Sequence, residues 1–299
     1  MSQSFESVRL LICDPNPMIR SGLKGALFSL GFRAISDTGS FTRLHDMLEQ
    51  DAADLVITAS VLEDNDTGFL IQEMRHQRLG PNPFIIVIML LADADPDSVR
   101  KAIDSGTDDL LLMPVSPEQV FGRIEKLAKA RKPFVVTHDY IGPDRRTKTR
   151  QFENSAPSLP APNLLKARMQ AGMDGTRQGV HVRDGAMTVN RMKIERDIVQ
   201  MNWLANHVGA IIRDGSQDAS LPDYAGHLVA AAEDVIRRTR NAPAETDLSA
   251  ATELLDLARR LEADPAQIGF SDLQKLADLP KRLATSLDKT KDARRHAAP

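Results

Sequence analysis

The sequence predicts a doubly wound α/β domain followed by a linker and an all-α carboxyl-terminal bundle. Three observations carry this. Up to about residue 131, short β-rich apolar runs alternate five times with helical patterns. Between about 133 and 185 the hydrophobic periodicity fades, and Pro157, Pro160, Pro162, Gly172, Gly175 and Gly179 mark a linker. From about 187 onward the apolar spacing is helical. A chain of 299 residues with 42% hydrophobic content exceeds the usual single-domain size. The expected boundaries are therefore 7–131, 132–185 as tail and flexible linker, and 186–290.

In the first domain the strands are expected at Val8 to Ile12, Arg33 to Ser36, Leu55 to Thr58, Phe84 to Met89 and Leu110 to Met113. Strands separated by helices pair in parallel, with helices on both faces. The first helix places Ile19, Leu23, Leu27 and Leu30 on one face and stops at Gly31, suited to a left-handed cap. The fifth opens with Ser116-Pro117-Glu118-Gln119, a capping box with proline at the first helical position.

In the last third, Ile198, Met201, Ala205, Val208 and Ile212 recur at alternating spacings of three and four, which predicts a helix of about 25 residues. Further helices are expected from Ser220, from near Thr246 and from Ser271, the last with a bend near Pro280. Four amphipathic helices make a small bundle or a dimerisation module.

Charge is nearly balanced, with 38 basic and 41 acidic side chains, so neither half carries the positive field of nonspecific nucleic-acid binding. The longest apolar run, Phe84 to Ala92, is too short to span a bilayer, and the amino terminus has no basic stretch leading an apolar core. A cytoplasmic protein without membrane or nucleic-acid partners is expected. The single cysteine, Cys13, excludes an internal disulfide or a multi-cysteine metal site. It reads as a small buried hydrophobe.

Ligands of doubly wound sheets sit outside the carboxyl ends of the strands. There the sequence presents Asp14, Ala59, Leu91 and Met113. Together with Leu11-Ile12-Cys13-Asp14-Pro15-Asn16-Pro17, Asp54-Leu55-Val56-Ile57, Ser105-Gly106-Thr107 and Met113-Pro114-Val115-Ser116-Pro117, they make residues 7 to 131 resemble the receiver domain of bacterial two-component response regulators. The resemblance implies a flavodoxin-like (βα)5 fold and a place in phosphorelay signal transduction. It also implies partners among signalling proteins, either histidine kinases or regulator components.

Receivers that accept phosphate carry an acidic pair after the first strand and an acceptor aspartate after the third. They carry Ser or Thr after the fourth strand, and Lys before Pro after the fifth. Here these positions read Cys13-Asp14, Ala59, Leu91 and Met113-Pro114, and the aromatic switch position of the fifth strand is Leu110. One carboxylate is poor support for an octahedral Mg²⁺. Alanine offers no nucleophile, and neither leucine nor methionine can hold a phosphoryl oxygen. A chemically inactive pocket is expected, with no enzyme activity, cofactor or metal. Ser60 as a shifted acceptor, and Glu63, Asp64 and Asp66 as a substitute metal site, are the weaker readings.

The string Tyr140-Ile141-Gly142-Pro143-Asp144-Arg145-Arg146 is similar to an extension that follows some stand-alone alphaproteobacterial receivers. Phe134 and Val136 alternate as in an edge strand, and Gly142-Pro143-Asp144 signals a turn. The expectation is that the apolar part docks on the receiver and that the arginines, continuing to Arg150, are solvated. A docking peptide for an acidic surface is the functional alternative. In the bundle, His207 and His227 are candidates for a phosphotransfer role, although neither precedes the Lys-Gly pair usual in such domains. Homodimerisation through the bundle is a further expectation.

Overall fold

A computed structural model describes residues 4–146, 156–170, 175–214, 218–240 and 248–297. The chain divides into two compact units, Met1–Thr188 and Val189–Pro299.

The first unit is built on strands β1 (Leu10–Cys13), β2 (Ile35–Thr38), β3 (Leu55–Ala59), β6 (Ile86–Leu91) and β7 (Asp109–Leu112). They form one sheet in the order β2-β1-β3-β6-β7, and every pairing is parallel. This is the flavodoxin-like order, in which the chain reverses its direction of winding at β1 and β3. Between β3 and β6 lies a two-strand hairpin, β4 (Val61–Leu62) with β5 (Asn65–Asp66). The helices are α1 (Pro17–Ser29), α2 (Phe41–Glu49), α3 (Thr67–Arg75), α4 (Pro96–Asp104) and α5 (Pro117–Lys129).

Each helix starts where a short polar side chain satisfies a free backbone amide. Asn16, Ser40, Asp66, Asp95 and Ser116 cap the five in turn, and Ser116 with Gln119 completes the capping box. Gly31 follows α1 with a φ of +104°, in the left-handed region the sequence required. The sheet buries one face against α1 and α5, around Ile12, Leu27, Ile57, Ile88 and Ile124. The other face lies against α2, α3 and α4, around Leu11, Leu44, Val56, Ile71 and Val87. Three strands begin two residues later than the apolar runs that predict them. Val8 and Phe84 are fully buried beside the sheet without entering its ladder.

The stretch expected to be a linker is structured wherever it is described. Strands β8 (Phe134–Val136), β9 (Ile141–Pro143) and β10 (Ser158–Leu159) form a second, antiparallel sheet in the order β10-β8-β9. A short helix, α6 (Leu164–Met169), buries Leu165 and Met169 in the core beside α5. Asn163 holds both ends of this join. Its amide donates to the Leu127 and Ala128 carbonyls that close α5, and its side-chain oxygen caps α6 at the Lys166 amide. The prolines of this stretch punctuate short elements that depend on the receiver for burial, so no periodicity of their own is visible.

The next helix, α7, runs Gly175–Arg213, 39 residues and so longer than expected. The division between the units falls within it. Its first turns carry Gly175, Gly179 and Gly185 among polar residues, which is why they read as linker. The second unit adds α8 (Leu221–Arg240), α9 (Leu248–Ala263), a single 3₁₀ turn and α10 (Phe270–Ala297), which contains Pro280. Its core is a continuous apolar cluster that includes Ile198, Met201, Leu228, Val235, Leu254, Leu261 and Leu283. The expected start near Thr246 lies outside the described residues. Among the described residues, no helix is long and apolar enough to cross a membrane.

Candidate functional site

The carboxyl edge of the parallel sheet brings the predicted pocket residues to one place. Cys13 ends β1 and is fully buried, and burial pushes its thiol pKa up, so the thiolate needed for reactivity is disfavoured. Asp14 follows and is also buried. Its Oδ1 accepts the Asn16 amide at 2.8 Å, and burial pushes its pKa up against the pull of that bond and of Arg20. Arg20 does not salt-bridge Asp14 but donates to its carbonyl at 2.6 Å, while its Nε meets Asp37 at 3.3 Å. The nearest fixed cation is thus committed to the loop backbone and to β2.

Ala59 closes β3 opposite Leu90. Its carbonyl is held by two hydroxyls, Thr58 Oγ1 at 2.9 Å and Thr67 Oγ1 at 2.7 Å, which tie the strand end to the start of α3. Ser60 donates its amide to the Leu90 carbonyl and accepts from the Thr67 amide, each at 3.0 Å, so its backbone belongs to the same tie. Leu91 is buried in the core under α2, α3 and α4. The Met113 side chain packs against the opposite core, its amide donates to the Leu91 carbonyl at 2.8 Å, and the Met113–Pro114 peptide is cis. The side chains at these strand ends are therefore a buried thiol, one buried carboxyl, a methyl, an isobutyl packed into one core and a thioether packed against the other. None but the carboxyl can stabilise a cation, and none can bind a phosphoryl oxygen strongly.

The acidic loop makes structural bonds. Glu63 accepts the Phe41 amide at 3.0 Å at the start of α2, and Asp66 caps α3 through the Gly68 amide at 2.8 Å. Among the described residues, three potential ligand atoms lie within 4.8 Å of one another only at His45, Asp46 and Glu49, on α2.

The tail residues form a clasp at the opposite end of the unit. Tyr140 Oη donates to the Pro143 carbonyl at 3.0 Å. Ile141, Gly142 and Pro143 are buried in β9. A Cβ on Gly142 would lie 2.6 Å from Tyr140 Oη and 2.8 Å from the Gly106 Cα, so only glycine fits. Arg145 donates to the Thr107 carbonyl at 2.5 Å. Arg146 pairs with Asp144 at 2.8 Å, holding that carboxyl below its usual range, and reaches the Ala156 carbonyl at 3.1 Å. The apolar part docks on the receiver as expected, but both arginines are bonded to the fold. Residues 147–150 of the basic patch lie outside the described residues.

Beneath this clasp is a group that the sequence reading missed. Asp108 accepts from Arg75 at 2.9 Å and from Arg131 at 2.8 and 3.1 Å, and also takes the Val87 amide at 2.9 Å. Arg75 is fully buried and bonds the carbonyls of Gly106, Pro83 and Ile85, and burial lowers its pKa to about 10. The Phe134 ring of β8 lies against both guanidinium groups, at 5.1 and 4.9 Å. The visible signal was an arginine within the apolar face of α3, which helical periodicity alone would place in the core.

In the second unit, His207 stacks on Trp203 at 5.0 Å and meets Tyr224 edge-on at 4.9 Å. His227 is exposed on α8. A second missed group lies buried among these helices. Lys193 pairs with Asp197 and reaches Asp234 at 3.2 Å, and Asp234 also holds Arg238 at 2.8 Å and Arg237 at 2.5 Å.

Residues 10–125 match the family model of the response regulator receiver domain. The transcriptional regulatory protein GltR of Pseudomonas aeruginosa is 32% identical over 123 residues, which cover 40% of this chain and 48% of that protein. The chain thus spans about half the length of the curated relative it matches. Among solved structures, a CheY-like receiver domain of Methanospirillum hungatei is 20% identical, covering 40% of this chain and 91% of its own, with a TM-score of 0.36. The receiver domain of a sensor histidine kinase of Pseudomonas aeruginosa, solved with magnesium in its active-site cleft, is also 20% identical. It covers 40% of this chain and 96% of its own, with a TM-score of 0.36. The family match, on a sheet of this strand order, makes residues 10–125 a response regulator receiver domain of two-component signalling.

Proposed function

We propose that this receiver works as a phosphorylation-independent protein-interaction module, with the helical unit as its output or dimerisation element. The observation that carries the reading is Ala59 at the end of β3, where the acceptor carboxylate would have to stand. The buried Leu91 and Cys13 and the packed Met113 supply none of the groups that such chemistry needs. The domain then signals by occupancy of its surface, bound to a kinase or another regulator of the same system. No cofactor or resident metal enters this mechanism, and the protein is not an enzyme in this reading. Incubation with acetyl phosphate and Mg²⁺ is expected to leave the chain unlabelled. A hydroxylamine-labile acyl phosphate on the receiver would overturn the reading.

A second reading rests on the exposure of His227 on α8, since a phosphotransfer histidine has to be open to its partner. It predicts that label moves from a phosphorylated partner protein onto the helical unit and that His227→Gln abolishes the movement. Unchanged transfer in that variant, or no transfer at all, rejects it.

A further inference from the structure

We infer that the loop-bearing edge of the receiver sheet is a docking surface for a cationic, amphipathic segment of a partner protein. The inference rests on the reading that this edge has given up phosphoryl chemistry, and it specifies what occupies the edge instead.

The five strands are parallel, so their strand-to-helix loops all leave the sheet at one edge. These loops are residues 14–16, 39–40, 60–66, 92–95 and 113–116. They contain Asp14, Glu63, Asp64, Asp66, Asp93 and Asp95, and no lysine, arginine or histidine. In a chain whose charges nearly balance, six carboxylates, with the Arg20 guanidinium bonded among them to the Asp14 and Pro15 carbonyls, leave a local negative excess at that edge.

The same edge exposes large apolar side chains. Met18, on the first turn of α1, is 81% exposed, Phe69, on the first turn of α3, 58%, Leu112, ending β7, 50%, and Val61, on β4, 49%. Of six exposed large apolar residues between residues 4 and 131, these four belong to this edge. Of the other two, Phe28 is covered by the Arg33 guanidinium at 4.4 Å. The core does not need the four, because Leu62, Leu70 and Leu111, each a chain neighbour of one of them, are buried. The pairing of Val61 with Asp66 fixes an apolar side chain inside the most acidic loop. Exposed apolar groups held on ordered backbone beside like charges mark a surface for association.

The charge selects the occupant. An anionic membrane or nucleic acid is repelled. A bound divalent ion is not favoured, since no three ligand atoms converge at this edge among the described residues. A segment with leucine-like side chains on one face and lysine or arginine on its flanks satisfies both features, and the long basic stems add apolar contact of their own.

The test titrates the full chain with a synthetic amphipathic helix of leucine and lysine. Its controls are a scrambled isomer of the same composition and a leucine–glutamate analogue. The inference expects saturable binding that weakens with ionic strength, with the scrambled isomer about tenfold weaker and the acidic analogue not bound. The double variant Val61→Gln/Phe69→Gln is expected to lose about tenfold in affinity with an unchanged unfolding curve. Asp64→Asn/Asp93→Asn is expected to flatten the salt dependence, and amide shifts in NMR are expected to confine themselves to the five loops. Equal binding of the scrambled isomer, indifference to the apolar double variant, or shifts mapping elsewhere would each overturn the inference. Labelling by acetyl phosphate would instead overturn phosphorylation independence and leave these readouts untouched.

Discussion

Ala59 matters through its neighbours. In the proposed reading a single missing carboxylate could be replaced, yet Leu91 and Met113 offer neither the hydroxyl nor the cation that would hold a transferred group. Ala59→Asp alone is therefore expected to remain unlabelled by acetyl phosphate and Mg²⁺, as read by hydroxylamine-labile phosphate. Asp108 is the opposite kind of residue, silent in function and demanding in energy. Asp108→Ala leaves Arg75 and Arg131 buried without an anion and is expected to cost about 3–5 kcal/mol in urea unfolding. Asp197 in the second unit gives a pH signature. Burial, opposed by Lys193 and reinforced by Asp234, raises its pKa to about 7 from an ordinary value near 3.8. The folded state then binds the proton more tightly than the unfolded chain. Stability from this group is complete below pH about 4 and is lost as pH rises through about 7. Urea midpoints of the second unit measured across that range should fall with pH, and Asp197→Asn should remove the fall.

At the scale of elements, the segment after α5 decides where the receiver ends. The family match stops at residue 125, but α6 adds Leu165 and Met169 to the same core, and β8 and β9 pair in a sheet of their own against the buried Arg75 and Gly106. Phe134 contributes an aromatic face to two buried guanidinium groups, and Leu165 fills the seam beside α5. A chain ending at residue 131 is expected to unfold well below one ending at residue 170, with Leu165→Ala in the longer chain costing about 2–5 kcal/mol. Thermal melts of the two truncations check the first statement and denaturant curves the second. The Gly-Pro-Asp-Arg-Arg string was legible as a turn with an apolar prelude. Its role as a clasp was not, because the bond from Arg145 to Thr107 and the close approach of Gly142 to Gly106 each span more than thirty residues. Nothing in local periodicity reports contacts at that range.

At the scale of the whole molecule, each unit has its own apolar core among the described residues. Unfolding is expected in two transitions, and Phe134→Ala should lower the one belonging to the first unit while leaving the second in place. Differential scanning calorimetry of the full chain measures this directly, and a single cooperative transition would contradict it. The sequence by itself determined the five-fold alternation, the strand ends that carry chemistry and the helical character of the last third. These are written in periods of two to seven residues and in cap residues such as Asn16, Ser116 and Gly31. It also placed Ala59, Leu91 and Met113 at or beside the strand ends, since residue identity there needs no coordinates. Only the tertiary structure decided that α6 packs in the core of the first compact unit and that Arg75, Asp108 and Arg131 share one buried site. Only it, too, gathered exposed apolar groups and carboxylates on one edge of the sheet. The physical reason is distance along the chain: parallel pairing and burial bring together residues far apart in sequence, and hydrophobic spacing reports only what lies within a helix turn or a strand.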